Sequence, residues 1–157
     1  MNNTQIIATD TWTVSLPGDW IQKESPQDGQ LYFESADESK AVSIATWELG
    51  NDDASRSPRD LAESFKRVDV RALGSMDGYS WRLVDELAMD TEGGADVLID
   101  HLAHAQSYRI LTKILARPPI VVRAAFHDYL CEDYDSSRDF FAPIVQSLSF
   151  REAVEQP

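Results

Sequence analysis

Trp12, Val14 and Leu16 alternate with Thr11, Thr13 and Ser15, a period of two that gives a strand one apolar and one polar face. Pro17-Gly18-Asp19 ends the pattern with turn residues. Trp20 follows directly and is placed to fold its ring back over that turn. After a second turn at 26–29, the pattern predicts paired strands over 31–35 and 41–49. They are joined by the polar loop Asp37-Glu38-Ser39-Lys40, and 50–55 reads as polar linker. At Ser57 the period changes. Ser57 can cap a helix, Pro58 suits its first position, and Asp60 completes the capping-box spacing. Leu61, Ala62, Phe65 and Val68 then fall on one helical face, and Gly74 and Gly78 close the segment.

Beyond Gly78 the period returns to two. Strands over 79–90 and 95–105 flank Thr91-Glu92-Gly93-Gly94, a hairpin signal. Strands over 107–116 and 120–129 flank Arg117-Pro118-Pro119, where prolines belong in a turn because they cannot donate to a ladder. A last helix starts near Asp133 or Asp135, with Phe140, Phe141, Ile144, Val145 and Leu148 at helical intervals. Pro143 kinks it or marks a late start, and 151–157 reads as a frayed tail. Tight turns between the later strands require antiparallel pairing, and two helices are too few for βαβ crossovers throughout. Tyr108, Ile110 and Ile114 on one face and Leu111 and Leu115 on the other make the central strands apolar on both sides. These patterns predict an α+β fold: a central antiparallel sheet of about six or seven strands with a helix packed on each face, in a single domain over 1–157.

The chain has 157 residues, enough to bury roughly 68–70% of its unfolded surface without disulfide or metal. Its net charge of −13 arises from 27 acidic against 14 basic residues. The basic residues are scattered, which argues against nucleic acid as a partner and against an anionic membrane surface. A basic protein partner or plain solubility fits the charge better. Cys131 is the single cysteine, so no internal disulfide forms, as in a reducing compartment. The first thirteen residues have no basic region followed by an apolar run, and no stretch is long and apolar enough to span a bilayer. A cytoplasmic location is expected.

The candidate chemistry thins out under geometry. His101 and His104 stand three apart on an expected strand, which places them on opposite faces. His127 has no cysteine or carboxylate at ligand spacing, so no metal is expected. The segment from Asp133 to Asp139 lacks the glycine and closing glutamate of a calcium loop, and acidic residues at a helix start explain it. Cys131 would need a base such as His127 to act as a nucleophile. No nucleophile elbow, phosphate loop or dinucleotide fingerprint is present, so neither an enzyme nor a cofactor is expected.

Two sets of residues remain as candidates for binding a partner or ligand. Arg109, Lys113 and Arg123 share an alternation phase across the Arg117-Pro118-Pro119 turn, which would group three cations on one face. They form either a salt-bridge ladder with Asp100, Glu86 or Asp85 on neighbouring strands, or a polar floor for a partner segment. Trp47, Tyr79 and Trp81 are the aromatic candidates, since tryptophan and tyrosine anchor interfaces. Tyr79 with Trp81, and Trp47 with Leu49, share strand phases.

Three features resemble the PsbP-like fold group, which includes the photosystem subunit PsbP, the Ran-release factor Mog-one and the bacterial Eag-type chaperones of secreted effectors. Trp12-Thr13-Val14-Ser15-Leu16-Pro17-Gly18-Asp19-Trp20 is similar to the group's opening strand ending in P-x-x-W. The order of strands, helix, four-strand meander and helix matches along nearly the whole chain. The segment from Phe140 to Phe150 is similar to the group's closing F-x-x-I-x-x-S-L helix. The resemblance implies a sheet covered by helices on both faces and non-catalytic binding of another protein. The expectation is a bacterial chaperone, adaptor or immunity-type factor linked to protein secretion, with a homodimer also allowed. A small anionic ligand held on the sheet face is the alternative.

Overall fold

The computed structural model describes residues 3–25 and 27–151. Among these described residues, ten strands and three helices follow in the order β1 (Thr4–Ala8), β2 (Trp12–Pro17), β3 (Ile21–Lys23), β4 (Gln30–Glu34), β5 (Lys40–Glu48), α1 (Asn51–Ala54), α2 (Pro58–Gly74), β6 (Arg82–Thr91), β7 (Gly94–Ala103), β8 (Tyr108–Arg117), β9 (Ile120–Asp128), α3 (Tyr134–Ser147) and β10 (Ser149–Phe150). A 3₁₀ turn at His104–Gln106 links β7 to β8. Seven strands form one antiparallel sheet in the order β3-β4-β5-β9-β8-β7-β6, and β1-β2-β10 form a second, small one.

Burial explains the layering. Trp12, Val14 and Leu16 are buried while the residues between them are half-exposed, and they pack with Phe141, Ile144 and Val145 of α3 and with Leu148 just after it. That layer lies on the large sheet over Phe33, Val42, Ile44, Leu115, Val122 and Phe126. The Trp12 indole is satisfied by Thr46 Oγ1 at 3.1 Å. On the opposite face, Leu61 and Ala62 of α2 pack on Val97, Ile99, Ile114, Ala116 and Val121. The α+β architecture with a helix on each face is therefore present, with the Trp12 strand allied to α3 in the small sheet. Trp20 is buried, its N–H donates to Pro17 O, and its ring stacks near Phe140 at 6.4 Å.

Local signals explain the element ends. Ser57 Oγ accepts from the N–H of Asp60 with Pro58 in the first turn, and Asp133 caps α3 through the N–H of Asp135. Pro143 lies inside α3. Gly94 is fixed by space: a Cβ there would stand 2.5 Å from Ala116 O. Several expectations need correction. The buried direction of α2 runs through Leu61, Ala62 and Phe65 to Asp69, leaving Val68 exposed at its rim. The linker over 50–55 contains the one-turn helix α1. The strand expected from 79 begins at Arg82. Arg151 is held, donating its N–H to Thr11 O and Nη1 to Thr9 O, while the rest of the expected tail lies outside the described residues. His104 lies in the 3₁₀ turn, off the strand that carries His101.

Candidate functional site

The register of β8 against β9 decides which cations meet. The loop between them has two residues, so Arg117 stands opposite Ile120 and every odd position of β8 faces an even position of β9. Arg109 is opposite Asp128 and Lys113 opposite Ala124, whereas Arg123 is opposite Ile114. Arg109 and Lys113 therefore point towards α3 and Arg123 towards α2. The expected grouping of three cations on one face fails because a two-residue loop shifts the parity between the strands.

Each cation has a built environment. Arg109 is 3% exposed. It donates Nε and Nη2 to the two carboxylate oxygens of Asp100 at 2.9 and 2.8 Å, and Nη1 to Ser137 Oγ at 3.0 Å. Tyr134 covers it, with the guanidinium 5.0 Å from the ring centroid, and donates its hydroxyl to Asp100 at 2.6 Å. Burial, then the hydrogen bond to Asp100, pushes the Tyr134 phenol up to about 12. Lys113 donates Nζ to Val145 O and Leu148 O, both at 2.8 Å, and so closes the C-terminal end of α3. Burial lowers its pKa. Arg123 pairs through Nε with Asp69 of α2 at 2.8 Å. Of the partners named for a salt-bridge ladder, Asp100 is the one engaged.

The aromatic candidates separate as well. Trp47 packs against Phe65 of α2, with ring centroids 5.1 Å apart, one helical turn from the Asp69–Arg123 pair. Tyr79 and Trp81 stack at 5.6 Å in the segment leading into β6, both edge-on to Tyr108. There they pin that segment over an aromatic patch the sequence did not reveal. The Tyr108 hydroxyl lies 2.7 Å from His127 Nδ1, His127 stacks on Tyr129, and the Tyr129 and Tyr32 hydroxyls meet at 3.2 Å. Burial, with Arg123 adding to it, pushes His127 down to about 4. His127 Nδ1 and the Tyr108 hydroxyl share this hydrogen bond with the imidazole neutral. Its ring is thus engaged on the α2 face, while Cys131 is buried beside Ser137 and Arg109 towards α3.

The residues that α3 leaves uncovered form a recess on that face of the sheet. α3 lies beside β2 and over β8 and β9, and beyond it the outer strand β6, with Asp96 and Leu98 of β7, is left partly exposed. Between them is a groove of about 450 Å³. Leu98 and Leu111 make its floor, Ala142 and Val145 of α3 one wall, and Leu87 and Met89 the open side. Leu87 is 51% and Met89 42% exposed. Arg109 and Lys113 lie at its inner end and Asp85, Asp96 and Asp100 line it. Asp96 is half-buried, and burial raises its pKa against the pull of Lys113 and Arg117. Sequence reasoning missed Leu87, Met89 and Asp96, because only the strand order shows β6 to be the outer strand. The signal present was charge within an apolar period: Asp85, Glu86 and Asp90 interrupt Leu83, Leu87 and Met89, as edge strands do. Among the described residues no cluster of His, Cys, Asp or Glu is arranged to hold a metal, and no helix is long and apolar enough to cross a membrane.

This is the PsbP-like α/β fold. The solution structure of cyanobacterial PsbP (CyanoP) from Synechocystis sp. PCC 6803 matches with a TM-score of 0.70 at 13% identity, over 96% of this chain and 94% of that one. A Bacteroides thetaiotaomicron protein matches with a TM-score of 0.51 at 14% identity over 97% of this chain, which spans 50% of that protein. A Pseudomonas aeruginosa protein of unknown function, described as a putative regulator, aligns over 99% of both chains at 12% identity with a TM-score of 0.44. No protein-family model and no curated protein matches the sequence. At such identities the likeness defines the fold.

Proposed function

We propose that the chain is a non-catalytic protein-binding domain, of chaperone, adaptor or immunity type, that holds its partner in the groove between α3 and β6. One observation carries the reading: exposed Leu87 and Met89 adjoin an apolar floor at the outer edge of the long sheet. Contiguous exposed apolar surface beside an unpaired strand is kept where a partner covers it.

The alternative, a small anionic ligand, needs cations directed into the recess. Arg109 is bonded to Asp100 and Ser137, and Lys113 to two carbonyls, while Asp85 and Asp96 repel an anion there. The partner is tested by pull-down from the native host with wild type and a Leu87→Arg/Met89→Arg variant. A partner recovered at stoichiometric level by wild type and lost with the variant, at unchanged melting temperature, is the expected result. Recovery of no partner, or equal recovery by both, removes the reading. A screen of anionic metabolites tests the alternative, since saturation at 100 times the dissociation constant stabilises by about 2.7 kcal/mol.

A further inference from the structure

We infer that the partner enters this groove as an added β-strand: an extended segment of alternating apolar and basic residues pairs with the outer edge of β6. The inference rests on the protein-binding reading above and specifies its chemistry.

The two edges of the large sheet are unlike. β3 has three residues, whereas β6 has ten, Arg82–Thr91, and among the described residues no strand lies on its outer side. At about 3.3 Å per residue β6 offers an edge of about 33 Å, and its outward N–H and C=O groups are the template that strand addition uses. A register shift between Leu83 and Asp85 interrupts the regular ladder near its start, so the regular part of the edge runs from Asp85 to Thr91. A strand added there extends the groove floor. Its alternate side chains fall beside Leu87 and Met89 at the spacing of cross-strand pairs, about 4.5–5.5 Å.

The carboxylates decide which segment fits. On the face of β6 towards α2, each acid has a cation from that helix: Glu86 meets Lys66 at 2.9 Å and Asp90 meets Arg59 at 3.4 Å. On the groove face, Asp100 is matched by Arg109. Asp85 and Asp96 form no ion pair among the described residues. They stand on adjacent strands around Leu87 and Met89, with Met89 opposite Asp96 and Asp85 opposite Asp100. An added strand lies about 4.8 Å outside β6. A lysine or arginine on it reaches Asp85 directly and Asp96 across Met89.

The same charges disfavour a second copy of the chain. β6 carries Arg82 against Asp85, Glu86 and Asp90, so antiparallel pairing with itself brings acids together, between chains of −13 each. A basic segment gains where a second copy is repelled, which is specificity by charge as well as by contact.

The test uses the full chain and two synthetic peptides, one alternating valine with lysine and one alternating valine with glutamate. Amide NMR of the labelled protein should show shifts and slowed exchange concentrated at 85–91 with the lysine peptide, and none with the glutamate peptide. Asp85→Asn/Asp96→Asn should weaken the lysine peptide about tenfold while leaving the amide spectrum folded. Equal binding of both peptides, perturbation centred elsewhere, unchanged affinity in the double variant, or no perturbation at millimolar peptide overturns strand addition. Sedimentation showing a wild-type dimer abolished by Leu87→Arg overturns it in favour of a second copy. If the pull-down partner depends on the groove but the lysine peptide leaves 85–91 unmoved, strand addition falls and protein binding stands. If no partner is recovered either, both fall.

Discussion

Arg109 stays charged inside the protein because three groups meet it: the two oxygens of Asp100, the Ser137 hydroxyl and the Tyr134 ring. A buried pair costs most when one member is removed, because the other remains as an uncompensated charge. Asp100→Asn is expected to destabilise by about 3–5 kcal/mol. The double change Arg109→Met/Asp100→Leu should cost less than the sum of the single changes, measured by urea unfolding in a double-mutant cycle. Additive costs would show that the two side chains contribute independently. His127 makes the second residue-level prediction. Its folded pKa of about 4 lies below the ordinary 6.5, so between those values the unfolded chain binds a proton that the native chain refuses. Stability therefore falls as pH drops through this window, by at most about 1.4 kcal/mol per pH unit from this group. His101, also lowered by burial, acts in the same sense. Unfolding free energies at pH 7 and 5 should differ less in His127→Gln than in wild type, and an equal difference would remove His127 as the source.

Among the elements, α3 is held at both ends by side chains, Asp133 at its start and Lys113 at its finish. Lys113→Met keeps the aliphatic stem but leaves Val145 O and Leu148 O without that donor. A cost of about 1–3 kcal/mol is expected, together with faster amide exchange over the last turn of α3. Ser57→Ala at the start of α2 should cost about 1 kcal/mol, readable in the same urea titration. The elements legible in the sequence are those whose signals are local. Ser57-Pro58-x-Asp60 specified the start of α2, and Trp12, Val14 and Leu16 specified the buried face of β2. Both PsbP-like end motifs lie in the layer that packs α3 onto β2, which is why they marked the fold. What stayed hidden depends on pairing. β1 and β10 are short and gain their place from β2. The face of Arg123 is not legible from its own strand, because strand phase is defined within one strand and only the loop transmits it to the next. The groove was invisible for the same reason: Leu87 and Met89 read like any half-buried strand until the strand order places β6 on the outside.

At the scale of the whole molecule, charge acts in opposite directions on folding and on the proposed binding. The excess of 13 negative charges opposes compaction through self-repulsion. The range of that repulsion contracts from about 30 Å at 0.01 M salt to about 8 Å at 0.15 M. The buried Arg109–Asp100 pair is shielded from solvent ions by its burial, and the exposed pairs, such as Arg138 with Asp135 and Asp139, contribute little individually. Raising sodium chloride across this range is therefore expected to raise the melting temperature by a few degrees, because screening relieves repulsion more than it weakens surface pairs. A lower melting temperature at the higher salt would show that the surface pairs outweigh the repulsion. A basic strand docked beside Asp85 and Asp96 depends on attraction between exposed charges, so its affinity should fall over the same salt range. A protein that becomes more stable while its lysine peptide binds less tightly would separate the two roles of its acidic residues: those spread over the surface set the cost of folding, and the two unpaired in the groove select the partner.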